Sequence, residues 1–180
     1  MELSEPMKIK DKTFKILIKK EDIQDKIVTM AKAINQDYKG TSPIFIGILN
    51  GSFMFVGDLM KHITLSSKVS FIKLASYNEM TSSGIIKELI GLNEDIFEQD
   101  VIILEDIIDS GLTITSVIEE FKNKGASSVE VATLLSKPKA LKTKIDIKYV
   151  GFEIGNEFVV GYGLDYEGLG RNTGAIYQLK

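Results

Sequence analysis

The sequence contains no cysteine and a single histidine, His62, among its 180 residues. The first absence removes disulfides, thiolate nucleophiles and cysteine-ligated zinc. The second removes any metal site built on two or more histidines. Long apolar runs are missing too: residues 44–49 form one of the longest, far short of the roughly 20 residues a membrane-spanning helix needs. The N-terminus, Met1 to Lys12, is polar and lacks the apolar stretch of a secretory signal. No Gly-Lys dipeptide occurs, so a Walker A loop is excluded. Gly161, Gly163, Gly168 and Gly170 do not spell the G-x-G-x-x-G of a dinucleotide site. Excess charge is also small, with a net value of −3. The densest basic cluster (Lys137, Lys139, Lys142, Lys144, Lys148) has no interleaved aromatic pattern and reads as a solvated face rather than a nucleic-acid footprint. These absences point to a soluble cytoplasmic protein with neither membrane nor nucleic acid as partner.

What is present is an alternation of apolar β-forming runs with helical patterns. Residues 14–18 read as a strand, and Ile23, Ile27, Met30, Ala31 and Ile34 fall at helical spacing. Gly40 to Pro43 should end that helix and introduce a buried strand over residues 44–49. A turn at Asn50-Gly51-Ser52 leads to a helix over 53–62, then to strands at 69–77 and 85–92. The central strand, 101–104, is followed by a helix from about Thr113 to Lys124, closed by Gly125, and by a strand over 129–135. Strands at 147–154 and 158–162 follow, and the tail from Gly163 is expected to be mostly irregular. Alternating strands and helices argue for a mostly parallel α/β sheet with right-handed crossovers. The strands beyond residue 136 are spaced too closely for crossovers and are expected to form a small cap. The chain thus reads as one domain, 1–180, with a cap built largely from residues 137–180 and the N-terminal strand as a further candidate.

The chemistry concentrates at residues 101–113. Four apolar residues run into Glu105 and Asp106, two isoleucines follow, and Asp109-Ser110-Gly111-Leu112-Thr113 opens a helix. Adjacent carboxylates at a strand end suit Mg²⁺, which takes oxygen ligands, or a sugar's vicinal hydroxyls. Taken alone they read more readily as exposed strand-end residues. The small-residue turn could cradle a phosphate with its backbone N–H groups and the helix dipole. A plain N-cap by Ser110 or Thr113 is the commoner explanation of such a turn.

Taken together, a strand, Glu-Asp, two apolar residues and Asp-Ser-Gly-x-Thr closely resemble the phosphoribosyl pyrophosphate signature of the type I phosphoribosyltransferases. Further blocks narrow the resemblance to the hypoxanthine-guanine branch and extend it over nearly the whole chain from about Ile44. The segment 47–52 resembles that branch's pyrophosphate loop, and Ser76-Tyr77 heads what would be its mobile loop. The run 134–137 resembles the purine-selecting strand end, and 150–154 with 158–166 resembles the base-binding cap. Arg171 follows at the family's distance.

The resemblance implies a type I phosphoribosyltransferase fold, a central mostly parallel sheet flanked by helices with a small hood. It implies purine salvage, in which phosphoribosyl pyrophosphate and a 6-oxopurine give a nucleoside monophosphate, with Mg²⁺ as cofactor and a homodimer or homotetramer as assembly. Glu105 and Asp106 would bind ribose and metal, and Asp109 would be the general base near purine N7. Ser110, Gly111, Leu112 and Thr113 would hold the 5′-phosphate. Lys137 would donate to the 6-oxo group, which disfavours adenine. Phe158 would stack on the base, with main chain near Val159 and Asp165 reading its edge. Asp165 would help hold a second Mg²⁺, while Asn50, Gly51 and Arg171 would contact pyrophosphate. Asn50 and Leu112 stand where relatives often carry lysine, and Asn172 where an acid is frequent. Two competing readings are a catalytically weak nucleotide-sensing RNA regulator, which a net charge of −3 disfavours, and a plain α/β interaction module, which leaves the ordered cap blocks unexplained.

Overall fold

The computed structural model describes residues 6–74 and 88–180. Ser76, Tyr77 and the expected loop 78–84 lie outside the described residues. A short hairpin, β1 (Met7–Ile9) and β2 (Lys12–Ile18), precedes helix α1 (Lys20–Asp37). The five apolar residues at helical spacing are the ones α1 buries. Gly40, in the left-handed region at φ +87°, turns the chain after it. Then follow β3 (Ile44–Leu49), α2 (Phe53–Met60), β4 (Lys68–Leu74), β5 (Glu88–Ile90), β6 (Asp100–Ile108), α3 (Leu112–Asn123), β7 (Ser128–Ser136), β8 (Tyr149–Glu153), β9 (Val159–Val160) and β10 (Ile176–Leu179).

The main sheet has the order β5-β4-β3-β6-β7-β8, parallel throughout except for β5 at one edge. Its central strands are apolar on both faces because both are covered. Ile102 and Leu104 of β6 pack with α1 and α2 residues such as Ile27 and Phe55. Val101 and Ile103 pack with Ile114, Val117 and Phe121 of α3. A second, antiparallel sheet has the order β1-β2-β10-β9. It contributes Ile18, Val159 and Ile176 to the core around α1 and keeps a small core of its own around Phe14, Val160 and Tyr177. No helix among the described residues is long and apolar enough to cross a membrane.

The structure corrects two expectations. The central strand does not stop at Leu104 but runs to Ile108, with Glu105 opposite Thr133 and Ile107 opposite Leu135. The β-branched Ile107 and Ile108 prolong the pairing, so the acid pair lies within the strand. The strand expected at 147–154 is not part of the cap: β8 pairs parallel with β7 in the main sheet. Residues 137–148 suffice for the crossover without a helix, since a parallel connection needs only about a dozen residues. The tail is mostly irregular as expected, and its one strand, β10, pairs with both β2 and β9. In the polar N-terminus Met7 and Ile9 are buried in the β1–β2 hairpin.

Candidate active site

Asn50, Gly51, Glu105, Asp106, Asp109 to Thr113 and Lys137 lie at or just beyond the C-terminal ends of β3, β6 and β7, where open α/β sheets bind ligands. The loop after β3 passes against the acid pair. The Leu49–Asn50 peptide is cis, and the buried Ser52 donates its hydroxyl to the Ile48 carbonyl at 2.6 Å. A Cβ placed on Gly51 would lie 1.5 Å from Oδ2 of Asp106. Only glycine lets this backbone approach so closely.

Asp106 is buried, and Glu105 is half-buried with its Oε2 fully enclosed. Burial first, then the charge of neighbouring Asp106, push the Glu105 carboxyl well above the usual carboxylate range. Asp106 is also raised by burial, although hydrogen bonds and the positive charge of Arg171 pull the other way. Two such groups side by side retain a proton at a pH where exposed carboxylates are ionised. Oδ1 of Asp106 accepts from the Ile107 amide at 2.9 Å, whereas Oε2 of Glu105 is buried without a partner. An orphaned buried oxygen beside a second carboxylate fits a ligand that brings hydroxyls or a hard cation. Among the described residues no three acidic or histidine side chains converge on a metal position. The pair would therefore supply at most two protein ligands, which matches Mg²⁺ and its habit of keeping water and substrate oxygens.

Glu105 also lines a cavity of about 170 Å³ together with Ile107, Ile108, Asp109, Ser110, Gly111, Thr113 and Ile114. No side chain caps α3; its N-cap is Gly111 at φ +78°. Ser110 approaches only the Leu112 amide, at 3.4 Å, which is a long contact. Neither Ser110 nor Thr113 therefore acts as the N-cap that the turn allowed. The helix start keeps its dipole and its first amides for the cavity, an arrangement that suits a phosphate.

At the end of β7 the Lys137 ammonium, only 10% exposed, donates to Oδ2 of Asp109 at 3.1 Å, while the Asp109 side chain is 57% exposed. The lysine amide bonds the Ile108 carbonyl at 2.9 Å, which fixes the start of the 137–148 crossover beside the acid. The structure thus brings these two candidates together.

The loop after β9 descends onto the Asn50–Ser52 turn. A Cβ on Gly163 would meet the Gly51 carbonyl oxygen at 1.9 Å. Arg171 clamps this loop: its guanidinium donates to the Gly163 carbonyl at 2.6 Å and pairs with Asp165 at 2.6 Å. Asp165 also accepts from the Gly168 amide at 2.6 Å. Both its oxygens are engaged, and it does not join Glu105 and Asp106 in a cluster. Val159 is buried in the core around α1, and Phe158 is 46% exposed against the rings of Phe14 and Tyr166.

Sequence reasoning missed the anchor of this loop. Tyr162, fully buried and at φ +49° between two positive-φ glycines, donates its hydroxyl to Oδ2 of Asp58 at 2.6 Å. Gln24 and Lys61 bond the same carboxylate at 2.8 and 2.7 Å. The Gly-Tyr-Gly run was the available signal, but its partner lies 104 residues away. Burial alone would raise the Asp58 carboxyl, yet bonds from Lys61, Tyr162 and Gln24 hold it below its ordinary 3.8. A depressed carboxylate contributes stability above its unfolded value and loses it as pH falls through the folded one. Tyr162→Phe is therefore expected to cost about 2 kcal/mol at pH 7, with the difference shrinking below about pH 4. Urea titrations of both proteins across pH measure it; an equal loss at pH 3 and pH 7 would remove Asp58 as the source.

The chain matches the phosphoribosyl transferase domain family over residues 17–167. It is 41% identical over 167 residues to the hypoxanthine-guanine phosphoribosyltransferase of Bacillus subtilis, covering 92% of this chain and 93% of that protein. The protein of that name from Staphylococcus epidermidis is 43% identical over 166 residues, again covering 92% and 93%. A crystal structure of a hypoxanthine-guanine phosphoribosyltransferase from Bacillus anthracis superposes with a TM-score of 0.87 at 36% identity, covering 92% of this chain and 98% of that one. With the parallel sheet, the buried acid pair and the uncapped helix in place, the chain belongs to the type I phosphoribosyltransferase family, in its hypoxanthine-guanine branch.

Proposed function

We propose that the protein transfers the 5-phosphoribosyl group from phosphoribosyl pyrophosphate to hypoxanthine or guanine, giving the nucleoside monophosphate and pyrophosphate. The observation that carries this reading is the shared cavity, lined by Glu105, Asp109 and the uncapped start of α3. A sugar with vicinal hydroxyls and a 5′-phosphate satisfies both ends of that cavity at once. The 5′-phosphate sits on the amides and hydroxyls of Ser110, Gly111, Leu112 and Thr113, and the ribose hydroxyls meet Glu105 and Asp106. Glu105 and Asp106 would hold Mg²⁺, which would supply charge neutralisation to the pyrophosphate leaving group. The main chain of Asn50 and Gly51, with Arg171, completes the pyrophosphate side.

The purine lies between the Lys137–Asp109 pair and the hood residues Phe158, Val159 and Asp165. The lysine ammonium donates to a 6-oxo group, and the Asp109 carboxylate handles the proton near N7. A 6-amino group offers the ammonium no acceptor. Turnover of hypoxanthine and guanine with phosphoribosyl pyrophosphate and Mg²⁺ is therefore expected to exceed that of adenine by at least about 100-fold. Steady-state assays with each base test this. Absence of turnover with every base would sink the enzyme reading, and equal use of adenine would sink the role of Lys137.

A further inference from the structure

The 137–148 crossover begins at Lys137 and then returns to the other end of the site. The Lys142 amide donates to the Ser110 carbonyl at 2.9 Å. A Cβ on Gly111 would lie 2.8 Å from Oγ1 of Thr143 and 3.2 Å from Leu141. Three consecutive crossover residues thus press on the two residues that open α3, although none of them lines the cavity. The hydroxyls continue the contact. Thr115 Oγ1 lies 2.8 Å from the Gly111 carbonyl and 3.0 Å from Thr143 Oγ1. A hydroxyl has one proton to give. Since Thr115 spends its proton on the Gly111 carbonyl, the Thr143 hydroxyl must be the donor of the pair. The result is a directed chain, Thr143 to Thr115 to Gly111, ending on the left-handed residue that both N-caps α3 and lines the cavity.

We propose that Thr143 and Thr115 are positioning residues that hold the phosphate loop in its binding conformation, so that the crossover carrying the purine-side lysine also sets the grip on the 5′-phosphate. The proposal rests on the reading of residues 110–113 as the phosphate loop. Preformed donors bind an anion without paying to order themselves, so loosening Gly111 is felt in phosphate affinity before it is felt in chemistry. Thr143→Val keeps the side-chain shape and removes only the donor.

In steady-state assays Thr143→Val is expected to raise the KM for phosphoribosyl pyrophosphate about fivefold, the scale of one hydrogen bond, with kcat and the KM for hypoxanthine changed less than twofold. Thr143→Ser restores the wild-type value. Thr115→Val raises the same KM, and the double variant is no worse than Thr115→Val, because the hydroxyls act in series. Calorimetric titration with ribose 5-phosphate reads the same loss without turnover. If wild type binds ribose 5-phosphate but turns over no base, the enzyme reading fails while this proposal remains under test. An unchanged KM and ribose 5-phosphate affinity in Thr143→Val overturns it. Equal rises in both KM values that serine does not rescue also overturn it, as does a fully additive double variant. Should Thr143→Val not fold, Thr143→Ala replaces it under the same criteria.

Discussion

Replacing Asp109 by asparagine is expected to lower kcat by about 100- to 1,000-fold, the usual contribution of a positioned general base. The fold should hardly change. The Asp109 side chain is 57% exposed and pairs with Lys137 at 3.1 Å. Asparagine keeps an oxygen that can accept the same bond, so the buried Lys137 ammonium is not left without an acceptor. Thermal unfolding should therefore shift by no more than a few degrees, and the KM for phosphoribosyl pyrophosphate should stay within a few-fold. Wild-type turnover in this variant would remove the base assignment, and an unfolded variant would show that the Lys137 pair is structural.

Gly51→Ala should damage stability and activity together. The new carbon would lie 1.5 Å from Oδ2 of Asp106, a residue only 8% exposed. Retreat on the other side is blocked, because the Gly51 carbonyl already fills the space where a Cβ on Gly163 would stand, at 1.9 Å. Overpacking of this kind costs about 3 kcal/mol, which in a chain of this size lowers Tm by roughly 6–12 °C. The same displacement moves Asp106 and the Asn50–Ser52 turn together. A misplacement on the order of 1 Å costs about 100-fold, and kcat/KM for phosphoribosyl pyrophosphate should fall by that factor. Calorimetry and kinetics on one preparation check both. Wild-type values would mean the turn relaxes away from the acid pair, and that Gly51 is not needed for the close approach.

Much of this was legible in the residues. The spacing of Ile23, Ile27, Met30, Ala31 and Ile34 predicts α1 and the face it buries, because a helix repeats its side-chain direction every 3.6 residues. The β-branched runs at 44–49 and 129–135 predict β3 and β7 for a similar reason. Errors arose where apolar runs are short or partners distant. Residues 176–179 carry too little pattern to mark β10, whose partners β2 and β9 define it. The spacing of β7 and β8 suggested separate layers, yet an extended crossover was enough to join them.

The sequence by itself determined the inventory of chemistry: no thiol, no histidine cluster, no Walker loop, and an acid pair five residues ahead of a small-residue turn. It also determined which local segments are helix or strand, since those depend on neighbours a few positions away. Tertiary structure decided what the inventory does. Burial of Glu105 without a partner, the Lys137–Asp109 bond, the stacking of Gly163 on Gly51 and of Gly51 on Asp106, and the Tyr162–Asp58 anchor all join separate elements. Such contacts have no local period to betray them. They exist only once the two sheets have closed on a common core and brought residues from distant parts of the chain within bonding distance.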